Sequence, residues 1–493
     1  MPLISHCHPG TSSRPITQNS RIRGCWLGKS IGGTLGLPAE GKMERMNFSF
    51  YDPVPTIAPP NDDLELQLVW LDLVENAGST LTQSDFSRAW LDHIHYMWDE
   101  YGRTRWNLRR GVAVESVGTF ENPFPAGMGS PIRSEIWACL FPGDPDSAAY
   151  YAALDASLDH GTEGIAGEVF FAVMQSQVAV GGDLEEAMTL AMRYIPGDCE
   201  TARVIEFIRQ NHRAGVAEWD CWKELLARHG NENFTHAPLN VALTIWALLY
   251  SGEDFEKGIL LAANGGYDTD CTAATVGATL GFLLGAEGIP ARWSAPIGEG
   301  VFVGPGIRGI AEPKTLTELI ERTGALVGKL ERKTWDAGFW EKSAPAADLA
   351  ALPGTIQLAP FGANDSVFWA NGELPEEIKK AGGGEWTWQV SADEPREIIC
   401  LARGGAKLSI DGRVVIECPP GLPYVPATHR SPDGSRVRVC PGKGSHRIRL
   451  ELGTSSSQQE ASVILAYPDL HIAPWTAEEL PERAHLPAPD EQP

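Results

Sequence analysis

Hydrophobic and polar positions fall into two regimes along this chain. From about Ile22 to Leu330 apolar residues recur at three- and four-residue spacing, most clearly over residues 64–75, 165–180, 183–194, 242–250 and 255–264. That period gathers them on one side of a helix, so the pattern predicts an all-α unit. The intervening segments, such as 51–55 and 121–127, are rich in Pro and Gly, as expected of loops over a helical core. After about Ser343 the period shortens to two, over residues 385–390, 406–410, 413–416, 436–439 and 447–452. Short alternating runs separated by Gly, Asp and Pro predict a β-sandwich, with Asp411-Gly412 as a hairpin turn. The resulting expectation is a mainly α protein. A disordered N-terminus (1–20) precedes a compact all-α domain (21–345), a linker (346–365), a smaller β-sandwich (366–470) and an acidic, Pro-rich tail (471–493).

Two of the predicted helices carry glycine every fourth residue: Gly24, Gly28, Gly32 and Gly36 in one, Gly277, Gly281 and Gly285 in the other. Glycine weakens a helix, so a whole face of it calls for a packing reason. The spacing places the glycines on one side, where a second backbone can approach closely and bring the loops at the helix ends together.

A length of 493 residues suggests two domains, and 43% hydrophobic with 21% charged residues is ordinary for a globular protein. The formal net charge of -24 changes the picture more. It argues against a nucleic-acid partner, whose phosphates need clustered Lys and Arg, and suits a small polar substrate held through a metal ion. Nine cysteines without a CxxC pair point to reduced thiols and a cytoplasmic setting. No apolar stretch opens the chain, and the longest small-apolar run, residues 273–286, falls short of the roughly 20 needed to span a bilayer. Neither a secretory signal nor a membrane partner is expected.

The candidate chemistry lies in two acidic steps, Asn61-Asp62-Asp63 and Asp268-Thr269-Asp270, each at the head of an apolar helix. Aspartate there has a common structural use as a helix cap. Brought together without basic partners, however, the four carboxylates would repel strongly unless a divalent cation sat between them. The two steps therefore read as halves of one metal site.

With residues 28–40 (GKSIGGTLGLPAE), Asn61-Asp62-Asp63, Leu158-Asp159-His160 and the run GGYDTDCTAATVGATLGFLLGAEGIP, the chain resembles the ADP-ribosylglycohydrolase family over roughly residues 20–330. The resemblance implies a compact all-α fold around a two-magnesium (or manganese) centre and hydrolysis at the anomeric carbon of a ribose; the donor set of this chain suits one or two ions of Mg²⁺, Mn²⁺ or Ca²⁺. It places metal ligands at Asn61, Asp62, Asp63, Asp268, Asp270 and Cys271, and matches the family's glutamate to Glu40. It also implies substrate contacts from the loop Gly127, Met128, Gly129 and Ser130, from Arg133 and from His160. The chain departs from the family pattern at Asn61, Leu64 and Cys271, where Thr or Ser is usual, and Tyr267 interrupts the GGDTD run. A thiol is a soft ligand in place of a hard hydroxyl, and these changes favour a free furanoside or glycan over ADP-ribose.

Hydrolysis at an anomeric carbon passes through an oxocarbenium-like state and needs an activated water with acid/base help, a role that falls to Glu40 beside Asp62 and Asp63. Competing structural readings stand beside each assignment. Glu40 also reads as a solvated surface residue, His160 as a core or cap histidine, 128–130 as a plain turn, and Arg133 as one half of an internal salt bridge. Trp369, Trp386 and Trp388 read as sandwich core or as a sugar-stacking platform. The expected partner is a small-molecule or protein-attached sugar.

Overall fold

The computed structural model describes residues 16–96, 99–342, 349, 352, 355–363, 365–369, 372–390, 395–427, 431–454, 456 and 458–466. Residues 1–15 of the expected N-terminal segment and the whole 471–493 tail lie outside them. The first helix begins at Gln18, with Thr17 accepting from Ser20 N as its cap, so residues 18–20 form a helical turn and not a disordered lead.

The glycine faces organise the helical part. A Cβ built at Gly24, Gly28, Gly32 or Gly36 of the Gln18–Gly36 helix would collide with the backbone carbonyl of Gly281, Gly277, Ala273 or Thr269 respectively. Each four-residue step up the first helix matches a four-residue step down the Thr269–Leu284 helix, so the two run antiparallel in backbone contact. The second helix is buried nearly all round, as its apolar and small-residue sequence requires of a central core helix. Antiparallel packing sets the C-terminal end of the first helix, which runs into Glu40, beside the N-terminal end of the second, which starts at Asp268. The remaining helices close around this pair in one hydrophobic core. The 183–194 stretch is shorter than its pattern, helical only over Leu184–Ala191. Among the described residues no helix is long and apolar enough to cross a membrane.

The C-terminal part is antiparallel β-sheet. Its strands are β1 (Ile356–Pro360), β2 (Val367–Trp369), β3 (Gly383–Val390), β4 (Arg396–Ala402), β5 (Ala406–Ile410), β6 (Arg413–Cys418), β7 (Arg436–Val439), β8 (Gly444–Leu452) and β9 (Ala461–Ala466). They form a six-stranded sheet in the order β2-β1-β3-β8-β5-β6 and a three-stranded sheet β7-β4-β9. Side chains of both sheets share one core. The β5–β6 hairpin turns at Asp411 and Gly412, both at positive φ, as the Asp-Gly pair foretells. Trp369, Trp386 and Trp388 are at most 4% exposed, which makes them sandwich core and leaves no stacking platform.

The two parts touch at loops that matter for the site. Phe124 packs with Val425 and Ala427. Glu232 is held by the Arg403 guanidinium at 2.7 Å and by Tyr424 N at 3.3 Å. Both contacts lie only a few residues from cleft-lining positions, Met128 and Gly129 on one loop, Phe234 and Thr235 on the other.

Candidate functional site

Local geometry explains how each acidic group is placed. Asn61, in extended conformation, caps the Asp62–Asn76 helix: its Oδ1 accepts from Asp63 N at 2.7 Å while its Nδ2 donates to Asp270 Oδ2 at 3.1 Å. Asn61 thus serves as cap and orienting donor, and its amide oxygen, on the cavity wall, keeps a second lone pair beside the one engaged by backbone, which is compatible with the ligand role the sequence suggests. Tyr267, the residue that interrupts the GGDTD run, adopts a left-handed φ of 70° after Gly266 at 74°. Its carbonyl accepts from Gly41 N at 2.9 Å and its N–H donates to Lys42 O at 2.8 Å. The extra residue therefore ties the Asp268 loop to the backbone just after Glu40. Asp268 N is fixed in turn by Asn240 Oδ1 at 3.2 Å, whose amide also bonds Phe234 O and His236 O.

The result is a cavity of about 380 Å³ whose wall includes Glu40, Asn61, Asp62, Asp268, Asp270 and Cys271. Two groups of ligand-type atoms fall within 4.8 Å: Asp63, Asp270 and Cys271, and Glu40, Asp268 and Asp270. Asp270 belongs to both. Asp62 stands on the same wall without joining either group, with Tyr101 Oη 3.3 Å from its Oδ2.

Electrostatics test whether a cation fits. Asp63, Asp268 and Asp270 are at most 3% exposed, and neither carboxylate oxygen of Asp63 nor Oδ1 of Asp270 receives a hydrogen bond. Buried hard-oxygen donors left without hydrogen-bond donors are what a divalent ion satisfies, so the residues present fit one. Burial raises the Asp62 carboxyl to about 7, with the Asp270 charge adding to it. Burial raises Asp268 well above the usual range, helped by Asp270 and Glu40, and raises Asp270 too. The Cys271 thiol is pushed up by burial and by Asp268, so it stays neutral and is a weak ligand.

One expectation needs correcting: the carboxylates are not without a basic partner. Lys29, 1% exposed, reaches Glu135 Oε2 at 3.1 Å and Asp63 Oδ1 at 3.7 Å. Burial raises the Asp63 carboxyl well above the usual range, and the Lys29 ammonium opposes that shift. Gln67 completes this polar floor, donating to Glu135 and to Asp63 O while accepting from Ile136 N. Sequence reasoning passed over Lys29, although it is the sole charged residue between Gly24 and Leu37, which is the signal that would have found it.

Four of the predicted substrate residues stand off the cavity wall, Gly127 among them. Arg133 is fully buried, and its guanidinium meets Asp155 and Asp159 at 2.8 Å and Gly129 O at 2.7 Å, so it is an internal ion pair that no substrate reaches. Ser130 is fully buried and off the cleft wall. His160, 1% exposed, bridges Asp159 at 2.8 Å and Glu100 at 3.4 Å behind the wall. Met128 and Gly129 do line the cavity.

A pH dependence follows from the carboxyl shifts. A carboxyl with a raised folded pKa binds more protons folded than unfolded between its two values. Its contribution is complete below the unfolded value, near 3.8, and is lost as pH rises through the folded one, about 7 for Asp62. The metal-free chain should melt at progressively lower temperature between roughly pH 5 and 8. Excess Mg²⁺ should flatten that slope, because ion binding draws on the deprotonated cluster. Calorimetric melting temperatures across this range, with and without Mg²⁺, check it; equal slopes in both series would contradict the cation reading.

Residues 14–331 match the model of the family described as ADP-ribosylglycohydrolase. The chain is 27% identical over 292 residues to an uncharacterized protein of Archaeoglobus fulgidus, covering 55% of this chain and 90% of that relative. A solved structure titled "ADP-ribosylglycohydrolase-related protein complex" aligns with a TM-score of 0.43 at 20% identity, over 66% of this chain and 98% of its own.

Proposed function

Because the chain belongs to the ADP-ribosylglycohydrolase family, we propose that it is a metal-dependent glycoside hydrolase that cleaves the C1 glycosidic bond of a ribosyl or other furanosyl substrate. The observation that carries this reading is the pair of ligand groups sharing Asp270 on the wall of a cavity open to a small sugar. At about 380 Å³ the cavity lies near the low end of the roughly 300–1,000 Å³ of small-molecule sites.

Asp63, Asp268 and Asp270 would hold one or two divalent ions. When bound, such an ion supplies chelation of vicinal sugar hydroxyls and lowers the pKa of water. The chain's own groups do the rest. Asn61 Nδ2 fixes the Asp270 carboxylate, and the Asn240 amide fixes the Asp268 backbone, so the donor set is held in place before ligand arrives. Glu40 is exposed at the rim beside Asp268, where its carboxylate can accept a proton from the attacking water or return one to the leaving group. Tyr101, buried except toward the cleft, aims its hydroxyl at Asp62.

The test is an assay of the full chain in Mg²⁺, Mn²⁺ or Ca²⁺ against ADP-ribosylated arginine and serine and, in parallel, against nitrophenyl furanosides. Product release from at least one set, abolished by a chelator and restored by metal, is the expected result. Absence of turnover on every substrate with all three ions sinks the reading.

A further inference from the structure

The glycine-rich loop 127–130 is the part of the cleft where backbone N–H groups could cradle an anion such as a substrate phosphate. The chain has filled that place itself. Gly129 N donates to Glu100 Oε1 at 3.2 Å. A Cβ at Gly127 or Gly129 would stand 2.6 or 2.5 Å from the same oxygen, so the two glycines are there to admit this carboxylate. Glu100 itself is 5% exposed, lines the cavity, and has an Oε2 without a hydrogen-bond partner.

A buried relay holds it in position. Arg133 pairs with Asp159, Asp159 Oδ1 lies 2.8 Å from His160 Nδ1, and His160 Nε2 lies 3.4 Å from Glu100 Oε1. Although burial opposes it, Asp159 and then Glu100 raise the His160 imidazole to about 9, so it faces Glu100 as a cation. The residues expected to meet substrate, Gly127, Gly129, Arg133 and His160, thus combine to deliver an anion to the loop. The rest of the wall agrees. Glu40, Asp62, Asp99, Asp268 and Asp270 join Glu100, and none of the described lining residues is Lys, Arg or His.

We infer that the cleft selects against phosphate: its substrate is a furanoside that is uncharged, or cationic on the leaving-group side, and a phosphate or diphosphate next to the sugar is repelled by Glu100 where the loop would otherwise bind it. This rests on the sugar-site reading above and narrows it. A like charge met at the loop costs binding directly, because the N–H that would have compensated is already used. Tyr96, Tyr101 and Phe234 on the wall offer apolar faces for an uncharged sugar.

The test compares ligands that differ only in the phosphate. Titration calorimetry on the full chain in excess Mg²⁺ would use methyl ribofuranoside and methyl arabinofuranoside, each with and without a 5-phosphate, and ADP-ribose. The expected result is binding of at least one uncharged furanoside about tenfold or more tighter than its phosphate, with ADP-ribose weaker still. Glu100→Gln is expected to shrink that ratio by strengthening only the phosphorylated ligand. A phosphorylated ligand or ADP-ribose binding as tightly as its uncharged counterpart overturns the inference while leaving the hydrolase reading intact. Failure of every ligand to bind the metal-loaded wild-type chain overturns both. The wild-type comparison stands even if the Glu100 variant does not fold.

Discussion

Replacing Asp270 with asparagine is expected to lower kcat/KM by about 10³-fold or more, the loss of several kcal/mol of transition-state stabilisation that a bound ion provides. Asp270 is the single carboxylate common to both ligand groups, so no rearrangement of Asp63 or Asp268 replaces it. The substitution keeps shape and one oxygen, and the Asn61 amide at 3.1 Å can still donate to it. The folded state should therefore survive. Metal-free stability should rise slightly, because a buried carboxyl whose neighbours are Asp268, Asp62 and Asp63 is removed. The two readouts move in opposite directions: activity and the metal-induced gain in melting temperature vanish, while the metal-free melting temperature holds or increases. A variant with activity within about tenfold of wild type, or with an undiminished Mg²⁺ shift, would show that the ion is held elsewhere.

How much of this was legible in the sequence depends on the range over which the information acts. The glycine spacing and the two acidic steps are local signals, and they led to the antiparallel helix pair and to the residues it gathers. The strands with one solvent face, such as β3 and β8, were visible through alternation. β4 was not, because it lies between β7 and β9 with every residue buried, so nothing alternates. β2, at three residues, is too short to carry a period, and β1, whose burial alternates, lies in the stretch read as linker. At the site, the carboxylates announced themselves, whereas the groups that determine how they are used did not. Glu100 meets a glycine 29 residues later, and Lys29 meets a carboxylate 34 residues away; such pairings are set by tertiary packing. Arg133 illustrates the reverse error. A lone arginine after a glycine-rich loop looks like an anion binder, but Asp155, Asp159 and Glu168 surround it. Only their positions in space reveal that its charge is already matched.

Gly32→Ala should destabilise the chain by about 3 kcal/mol or more and lower its melting temperature by roughly 4 °C or more, although alanine is the better helix former by about 1 kcal/mol. The reason is backbone contact. The added methyl would occupy the space of Ala273 O and press on Ala273 C and Ala274 N, atoms that cannot rotate away. Relief requires the two helices to move apart, and the cost of overpacking a buried seam exceeds the gain in helix propensity. The seam also carries the site: Gly36 abuts Thr269 and Asp270 N, and Thr269 Oγ1 donates to Gly36 O at 2.8 Å. Separating the helices therefore shifts Asp270 relative to Glu40, so any folded Gly32→Ala protein should show a weakened Mg²⁺ shift besides lower stability. Gly324→Ala is the control. It lies in the Leu316–Leu326 helix with nothing within 4 Å of the new methyl, and should stabilise by up to about 1 kcal/mol. Thermal melts of both variants in parallel decide the matter: a Gly32→Ala protein as stable as wild type would mean that the helices are not in backbone contact, and the convergence of Glu40 with Asp268 and Asp270 would lose its structural cause.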